Sequence, residues 1–389
     1  MRIGIFVETY FPYVSGVSIS IESLKDALVQ KGHEVYIVTL KIDDYKYDND
    51  PSLILLEGHP YPFKKLKALK LGYTLHYKKN VKELKKYKFD IIHANTEFSV
   101  GTIGYKLARA TNVPIVYTYH TLYHTYVHYV ANFAISFFKM IIIRRIKSWM
   151  KKVDEVIVPS NKVLNIIRDF KVKRDVNVIP TGIKLDRFLN YDLNSIEKIK
   201  KNYKLVGKRI MLFAGRLGQE KGIGELIEYF DILSKDFPDL VFLIVGFGAH
   251  EGVLKKLVSS KKLEDKIIFT GEVCNSEIGN YYRLCDFFVS ASNTETQGLT
   301  YFEALASNCV SLVKKDPSLE GIIEDGINGF YFEDKESFLS QAKYILENDM
   351  SEIKEKTSEV VKNFSTEVFA DRIIKVYEKA LKNKKKGCK

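Results

Sequence analysis

Short apolar runs rich in β-branched residues alternate with helical stretches along this chain: RIGIFVE, ISIESLKDALVQKG and HEVYIVTL open it, then FDIIHAN, PIVYTYH, DEVIVPS and VNVIP. This is the rhythm of βαβ units. Strands that read as continuous apolar runs are buried on both faces, which demands a mainly parallel sheet with helices on each side. A first doubly wound domain is expected to close at Pro180-Thr181-Gly182. A polar, Lys/Asn-rich stretch runs to about Leu205, and the rhythm restarts at KRIMLFAGR, continuing through LVFLIVGFG, KIIFTGEV, CDFFVSAS and NCVSLVKK to about Phe332. A last helix is expected from about Thr366 to Lys382, and NKKKGCK reads as a solvated tail. The fold class is therefore α/β, with two domains of mainly parallel sheet, residues 1–182 and 183–365, facing each other across a cleft. Ligands of open parallel sheets bind beyond the carboxyl ends of the strands, so the active site is expected between the domains.

Composition removes other classes. Nine Pro and 23 Gly in 389 residues exclude collagenous or Pro/Gly-rich low-complexity chains, and 24 Phe with 24 Tyr argue against disorder. Sixty basic residues against 48 acidic ones leave a net charge of +12, carried mostly by Lys, so an anionic partner is expected. Cys274, Cys285, Cys309 and Cys388 show no C-x-x-C spacing and build no disulfide framework, which fits a reducing cytosol. MRIGIFVETYFP lacks a basic stretch followed by a long apolar one, and Glu8 interrupts it early, so no export signal is read.

Four segments carry chemistry. FAGRLGQEKG sets Arg216 and Lys221 after a strand, in a loop broken by Gly215, Gly218 and Gly222 that leads into a helix near Gly224. An Arg fork and a Lys point charge there can neutralise a diphosphate, although a solvated loop has the same composition. VSASNTETQGLTYFEALAS turns at Gly298 and starts a helix near Leu299 or Thr300, whose N–H groups suit a phosphate. Glu295 and Glu303, eight residues apart, can accept hydrogen bonds from hydroxyls of one ligand, or serve as a cap partner and an exposed face. Gly246 in VGFG and Gly16 in FPYVSGVSISI are places where a missing Cβ admits a ligand, or simple turns. YHTLYHTYVHY spaces His120, His124 and His128 by four, but PIVYTYH reads as a strand, so His120 sits at a strand end and is a ligand contact rather than a metal ligand.

Two segments suggest a membrane surface. Lys64 to Lys88 holds ten Lys and a single acidic residue, Glu83, among Leu, Tyr and His; Lys64, Lys65 and Lys67 lead it. NFAISFFKMIIIRRIKSWMKK pairs an apolar run with six cations and a Trp, and Arg144, Arg145 and Trp149 are its expected surface residues. Its apolar part is too short to span ~30 Å of hydrocarbon. A packed apolar face with solvated cations is the other reading of that helix.

Taken together, GRLGQEKG, VGFG and the E-x7-E of TETQGLTYFEA, with FPYVSGVSISI and PTGI before them, resemble glycosyltransferase family 4 over most of the chain. The resemblance implies a GT-B fold whose second domain holds a nucleotide sugar and whose last helix, about residues 366–389, returns to the first domain. It implies that Arg216 and Lys221 bind the diphosphate, Glu295 the sugar hydroxyls, Glu303 the ribose, and the N–H groups from Gly298 through Leu299 to Thr300 a phosphate. Gly215, Gly246 and Val273 would complete the donor pocket. Gly16 and His120 would face the transferred sugar, with His120, Arg216, Lys221 and Glu295 as the catalytic set. Family members retain anomeric configuration without a metal or other cofactor. ETQGLTYFEA and HTLYHTYVHY are most similar to bacterial diacylglycerol glucosyltransferases, implying UDP-glucose as donor, a diacylglycerol acceptor and peripheral attachment to the cytoplasmic membrane face. Glu8, His120, Tyr123, Tyr126 and His128 are then the acceptor side. Two positions depart from the pattern: His124 and Thr125 stand where acidic residues are expected, and Asn308 where Gly is usual. A soluble acceptor is the alternative. A nucleic-acid-binding protein is a weaker one, since the cations sit beside apolar side chains and no helix-turn-helix, zinc or RNP pattern occurs.

Overall fold

The computed structural model describes residues 1–13, 15–41, 47, 50–60, 72–122, 135–274 and 276–387. The chain divides into two units, Met1–Gly182 with Thr366–Lys389, and Ile183–Ser365. Strands β1 (Arg2–Phe6), β2 (Glu34–Leu40) and β3 (Leu53–Leu56) open the first. Next, β4 (His59–Pro60) and β5 (Gly72–Tyr73) pair antiparallel as a small separate ribbon. The main sheet is completed by β6 (Ile91–Ala94), β7 (Ile115–Thr118), β8 (Glu155–Val158) and β9 (Asn177–Val178), all parallel, in the order β3-β2-β1-β6-β7-β8-β9.

Every residue of β6, β7 and β8 is buried, the polar His93, Thr118 and Glu155 included, as strands covered on both faces require. The Gly16–Gln30 helix starts where Ser15 and Ser18 cap each other reciprocally, and it buries Ile21, Leu24 and Leu28. On that same face lies the terminal helix, Thr366–Gly387, which packs Phe369, Ile373, Val376 and Tyr377 with Ile3, Ile5, Ile91 and Val116. It runs five residues beyond the expected Lys382. Its apolar positions recur at helical spacing, so truncating fully buried Ile373 to Ala costs about 2–5 kcal/mol.

In the second unit, β10 (Arg209–Ala214), β11 (Leu240–Val245), β12 (Ile267–Gly271), β13 (Phe287–Ser290), β14 (Val310–Lys314) and β15 (Phe330–Phe332) form a parallel sheet ordered β12-β11-β10-β13-β14-β15. Phe213, Phe230 and Phe242 fill one face, and Leu212, Tyr282, Phe288 and Phe302 the other. The helices Lys335–Glu347 and Ser351–Val361 follow the last strand, the former capped by Asp334. Asn308, where the family pattern has Gly, takes a left-handed conformation at φ 52°, which Asn tolerates better than other non-glycine residues.

The two orders share one consequence. Each chain segment winds out from its first strand, then returns to that strand's other side, so direction reverses between β1 and β6 and again between β10 and β13. The loops leaving those strands diverge and open a crevice at their carboxyl ends. What stands there is set by the residues just after β1, β6, β10 and β13.

Candidate functional site

In the second unit the crevice is flanked by the loop after β10 and the loop after β13. Gly215, Arg216 and Leu217 leave β10, a 3-10 turn covers Gln219–Lys221, and Gly222 caps the Ile223–Asp236 helix. A Cβ on Gly246, whose φ is +127°, would lie 2.0 Å from the Gly215 carbonyl, so the ends of β10 and β11 approach as only glycine allows. Gly298, at φ +76°, precedes the Leu299–Ala306 helix, and a Cβ there would strike the Tyr301 ring. Gly298 has no side chain with which to cap that helix, and backbone N–H groups at a helix start suit an anion.

Charge crosses the crevice. Lys221 Nζ lies 2.5 Å from a carboxylate oxygen of Glu295, joining the two loops. Arg216 donates to Glu220 at 2.5 Å, and the Glu220 side chain is only 8% exposed. Sequence reading singled out Arg216, Lys221 and Glu295 but not Glu220, although it stands between the cations in GRLGQEKG. Deeper in the unit, Glu303 accepts from the Tyr282 hydroxyl at 2.9 Å. Burial pushes its carboxyl up to about 7, while Tyr282 and Arg187 pull the other way. Val273 is half-buried against the apolar cluster that includes Tyr282 and Leu299. Two hydroxyls on the β13 loop, Ser292 Oγ and Thr294 Oγ1, are buried with no hydrogen-bond partner among the described residues.

The first unit's crevice holds a buried polar network. Glu8 follows β1, and its carboxylate accepts from the Ser99 N–H at 2.7 Å, the Ser99 hydroxyl at 2.6 Å and the Val100 N–H at 3.2 Å. Glu8, expected on the acceptor side, holds the start of the Ser99–Thr111 helix, which Phe98 cannot cap. Burial pushes its pKa up, and those same hydrogen bonds oppose the rise. Glu97, which sequence reading missed, is buried just past β6, accepts from the Tyr117 hydroxyl at 2.8 Å, and is pushed by burial up to about 7. His120 Nε2 lies 2.7 Å from Asn95 Oδ1, and burial holds the ring down to about 4. Gly16 is exposed in the first turn of its helix.

The remaining expected residues divide. Tyr123, Tyr126, His128, Lys64, Lys65 and Lys67 lie outside the described residues, as do His124 and Thr125. On the Ile135–Met150 helix, Arg144 and Arg145 are exposed, Arg145 donating to the Glu97 carbonyl at 2.7 Å. Trp149 corrects the expectation of a surface residue: at 3% exposed it packs on Tyr105 and Tyr117, because the helix turns its carboxyl-terminal half into the core. The amino-terminal half does the opposite, with Phe137 55% and Phe138 43% exposed beside Met140 and Ile141. A second basic surface lies nearby in the chain, a groove lined by Tyr77, Lys78, Val81, Lys82, Lys85 and Lys106. Among the described residues no helix is long and apolar enough to cross a membrane, and no group of three or more His, Cys, Asp or Glu converges as a metal site.

Comparison with known proteins matches this geometry to two family profiles. Residues 14–187 match Glycosyltransferase Family 4, and residues 195–364 match Glycosyl transferases group 1. The chain is 36% identical to the alpha-monoglucosyldiacylglycerol synthase of Acholeplasma laidlawii, over 99% of both chains. It is 34% identical to the enzyme of the same name from Streptococcus pneumoniae, over 98% of this chain and 86% of the relative. Among solved structures, sucrose-phosphate synthase of Thermosynechococcus elongatus superposes with a TM-score of 0.78 at 22% identity, covering 97% of this chain and 98% of that one. Anabaena HepE, solved with UDP and glucose, gives 0.77 at 15% identity, covering 97% and 99%. These likenesses establish the GT-B fold for the chain, with two Rossmann-like parallel-sheet domains.

Proposed function

Because the chain belongs to glycosyltransferase family 4, we propose that it moves glucose from UDP-glucose onto diacylglycerol, with retention of configuration and without a metal. The second unit is the donor half and the first the acceptor half. The observation that carries this reading is the Lys221–Glu295 contact across the β10/β13 crevice, with Arg216 on the same loop as Lys221 and a helix beginning at Gly298 just after Glu295.

Donor binding exchanges partners. The diphosphate takes Lys221 from Glu295 and Arg216 from Glu220, so neither cation passes through an unpaired state. Glu295, released, accepts from hydroxyls of the sugar, and Glu303 from the ribose diol. Backbone N–H groups of Leu299 and Thr300 meet a phosphate. As the bond from the anomeric carbon to the diphosphate oxygen breaks, negative charge grows on that oxygen, where the guanidinium and ammonium stabilise it more than in the ground state. The acceptor hydroxyl adds to the anomeric carbon on the same face, and its proton passes to the departing phosphate oxygen. The products are an α-glucoside and UDP, and the two side-chain cations supply the neutralisation a metal would otherwise provide.

The lipid acceptor is supported by the near full-length likeness to two monoglucosyldiacylglycerol synthases and by the surfaces of the first unit. Phe137, Phe138 and Ile141 beside Arg144 suit the boundary between acyl chains and anionic headgroups, at the cytoplasmic face of the membrane. Incubation with diacylglycerol vesicles and a panel of nucleotide sugars, read by mass spectrometry, tests the proposal. Glucosyldiacylglycerol is expected from UDP-glucose, with Arg216→Ala lowering kcat/KM by about 10²–10³. A soluble glycoside in place of glycolipid, or near-normal turnover by Arg216→Ala, contradicts it.

A further inference from the structure

We infer that Glu220 is a resident counter-ion that competes with the diphosphate for Arg216: it holds the guanidinium until the donor arrives, and by reclaiming it limits how tightly UDP is kept. The inference rests on the proposed role of Arg216 at the diphosphate, and adds what that cation gives up on binding and what returns it.

The backbone between the two residues is fixed. Leu217 is fully buried, its N–H donates to the Phe247 carbonyl at 2.9 Å, and its own carbonyl accepts from the His250 N–H at 3.0 Å. The 3-10 turn Gln219–Lys221 follows, with the Lys221 N–H donating to the Gly218 carbonyl at 3.1 Å. Arg216 and Glu220 therefore meet across a tight turn rather than along a helix, with Nη2 2.5 Å from Oε1. Gly218 supplies the seat for the carboxylate. Its φ of −105° is open to any residue, so backbone conformation does not ask for glycine here. Space does: a Cβ on residue 218 would lie 2.4 Å and 2.6 Å from the two Glu220 carboxylate oxygens, which fill the volume a side chain would take.

Exposure within the pair is lopsided. The Arg216 side chain is 46% exposed and that of Glu220 only 8%. The guanidinium can swing to a ligand, while the carboxylate stays behind where water barely reaches it. Losing its cation there is costly, and any anion that draws Arg216 away must meet that cost. Lys221 and Glu295 differ in kind: both are largely buried, at 20% and 16% exposed, and in the proposed exchange Glu295 passes on to the sugar hydroxyls. Glu220 remains seated at Gly218, placed to take the guanidinium back as UDP leaves. Because the Arg216–Glu220 pair opens when the donor binds, before any bond breaks, its cost falls equally on ground state and transition state. It raises KM for UDP-glucose and leaves the chemical step alone.

The test measures UDP affinity by calorimetry in the full-length protein for wild type, Glu220→Gln, Arg216→Ala and the double variant. The Gln amide keeps the shape of the side chain but leaves no buried charge behind when Arg216 departs. Glu220→Gln is expected to bind UDP about five- to tenfold more tightly, to release it more slowly, and to lower KM for UDP-glucose by a similar factor without raising kcat. A Glu220 that merely braced the loop would give the opposite sign, weaker binding on substitution. A carboxylate that merely repelled the diphosphate would tighten binding on removal whether or not Arg216 is present, and the cycle separates this: in the Arg216→Ala background, Glu220→Gln should change UDP affinity by less than about twofold. The inference is overturned if Glu220→Gln leaves UDP affinity unchanged or weaker, if the tightening is the same in both backgrounds, or if kcat falls while KM and UDP release stay as in wild type. UDP binding by Arg216→Ala as tight as wild type would instead sink the diphosphate reading, whatever Glu220→Gln does.

Discussion

Glu303 shows how one buried carboxyl sets a pH dependence. Its pKa is raised to about 7 from 4.5, so in the ligand-free protein it is protonated below pH 7 and ionised above. A ribose diol needs an acceptor, and only the carboxylate can accept from both hydroxyls. Affinity for UDP-glucose should therefore fall as pH drops, by about tenfold between pH 8 and pH 6 in calorimetric titration. Glu303→Gln should bind more weakly with no such slope, and a wild-type affinity flat across that range would refute the role. At this scale the sequence revealed part of the site. Arg216, Lys221, Glu295 and Glu303 were legible because each lies on a loop or helix start directly after a strand, with glycines nearby. Asn95 and Glu97 were not, since their partners lie 25 and 20 residues away and only the sheet brings them together. Glu8 was noticed but its bonds to Ser99 and Val100 were not, because nothing local shows that the helix at Ser99 lacks a cap of its own.

At the scale of the element, the Ile135–Met150 helix answers a question its sequence left open. Amphipathic periodicity says that one face is apolar without saying what covers it. Here the answer changes along the helix: Ile146, Trp149 and Met150 are core, while Phe137, Phe138 and Ile141 meet solvent. Burying the exposed part of each Phe in a membrane is worth about 1 kcal/mol. Replacing both Phe137 and Phe138 by Ser should weaken sedimentation with phosphatidylglycerol vesicles by roughly 30-fold and leave the far-ultraviolet spectrum unchanged. Binding equal to wild type would remove this helix from the membrane contact. Raising salt should separately weaken binding through the lysines of the Tyr77–Leu84 helix, worth about 1 kcal/mol each near an anionic surface.

For the whole molecule, the strand rhythm carried most of the fold, because strands buried on both faces of a parallel sheet keep few polar positions to confuse the pattern. The long terminal helix was equally plain, but the surface it covers was not. Phe369, Ile373 and Tyr377 say only that it must be buried somewhere, and the structure joins it to the first sheet, where the Tyr377 hydroxyl meets His93 at 2.7 Å. Tyr377→Phe leaves a buried ring nitrogen without its partner, and should cost about 1–3 kcal/mol, read as a lower urea midpoint. An unchanged midpoint would show that this bond does not help hold the helix. All of this places two prepared crevices in one chain, and the claim on which the enzyme depends is that the second receives a nucleotide diphosphate on Arg216 and Lys221. A crystal structure of the UDP complex tests it directly. The account predicts phosphate oxygens within hydrogen-bond distance of both side chains, with the Lys221–Glu295 contact opened; UDP bound elsewhere, with that contact intact, would contradict it.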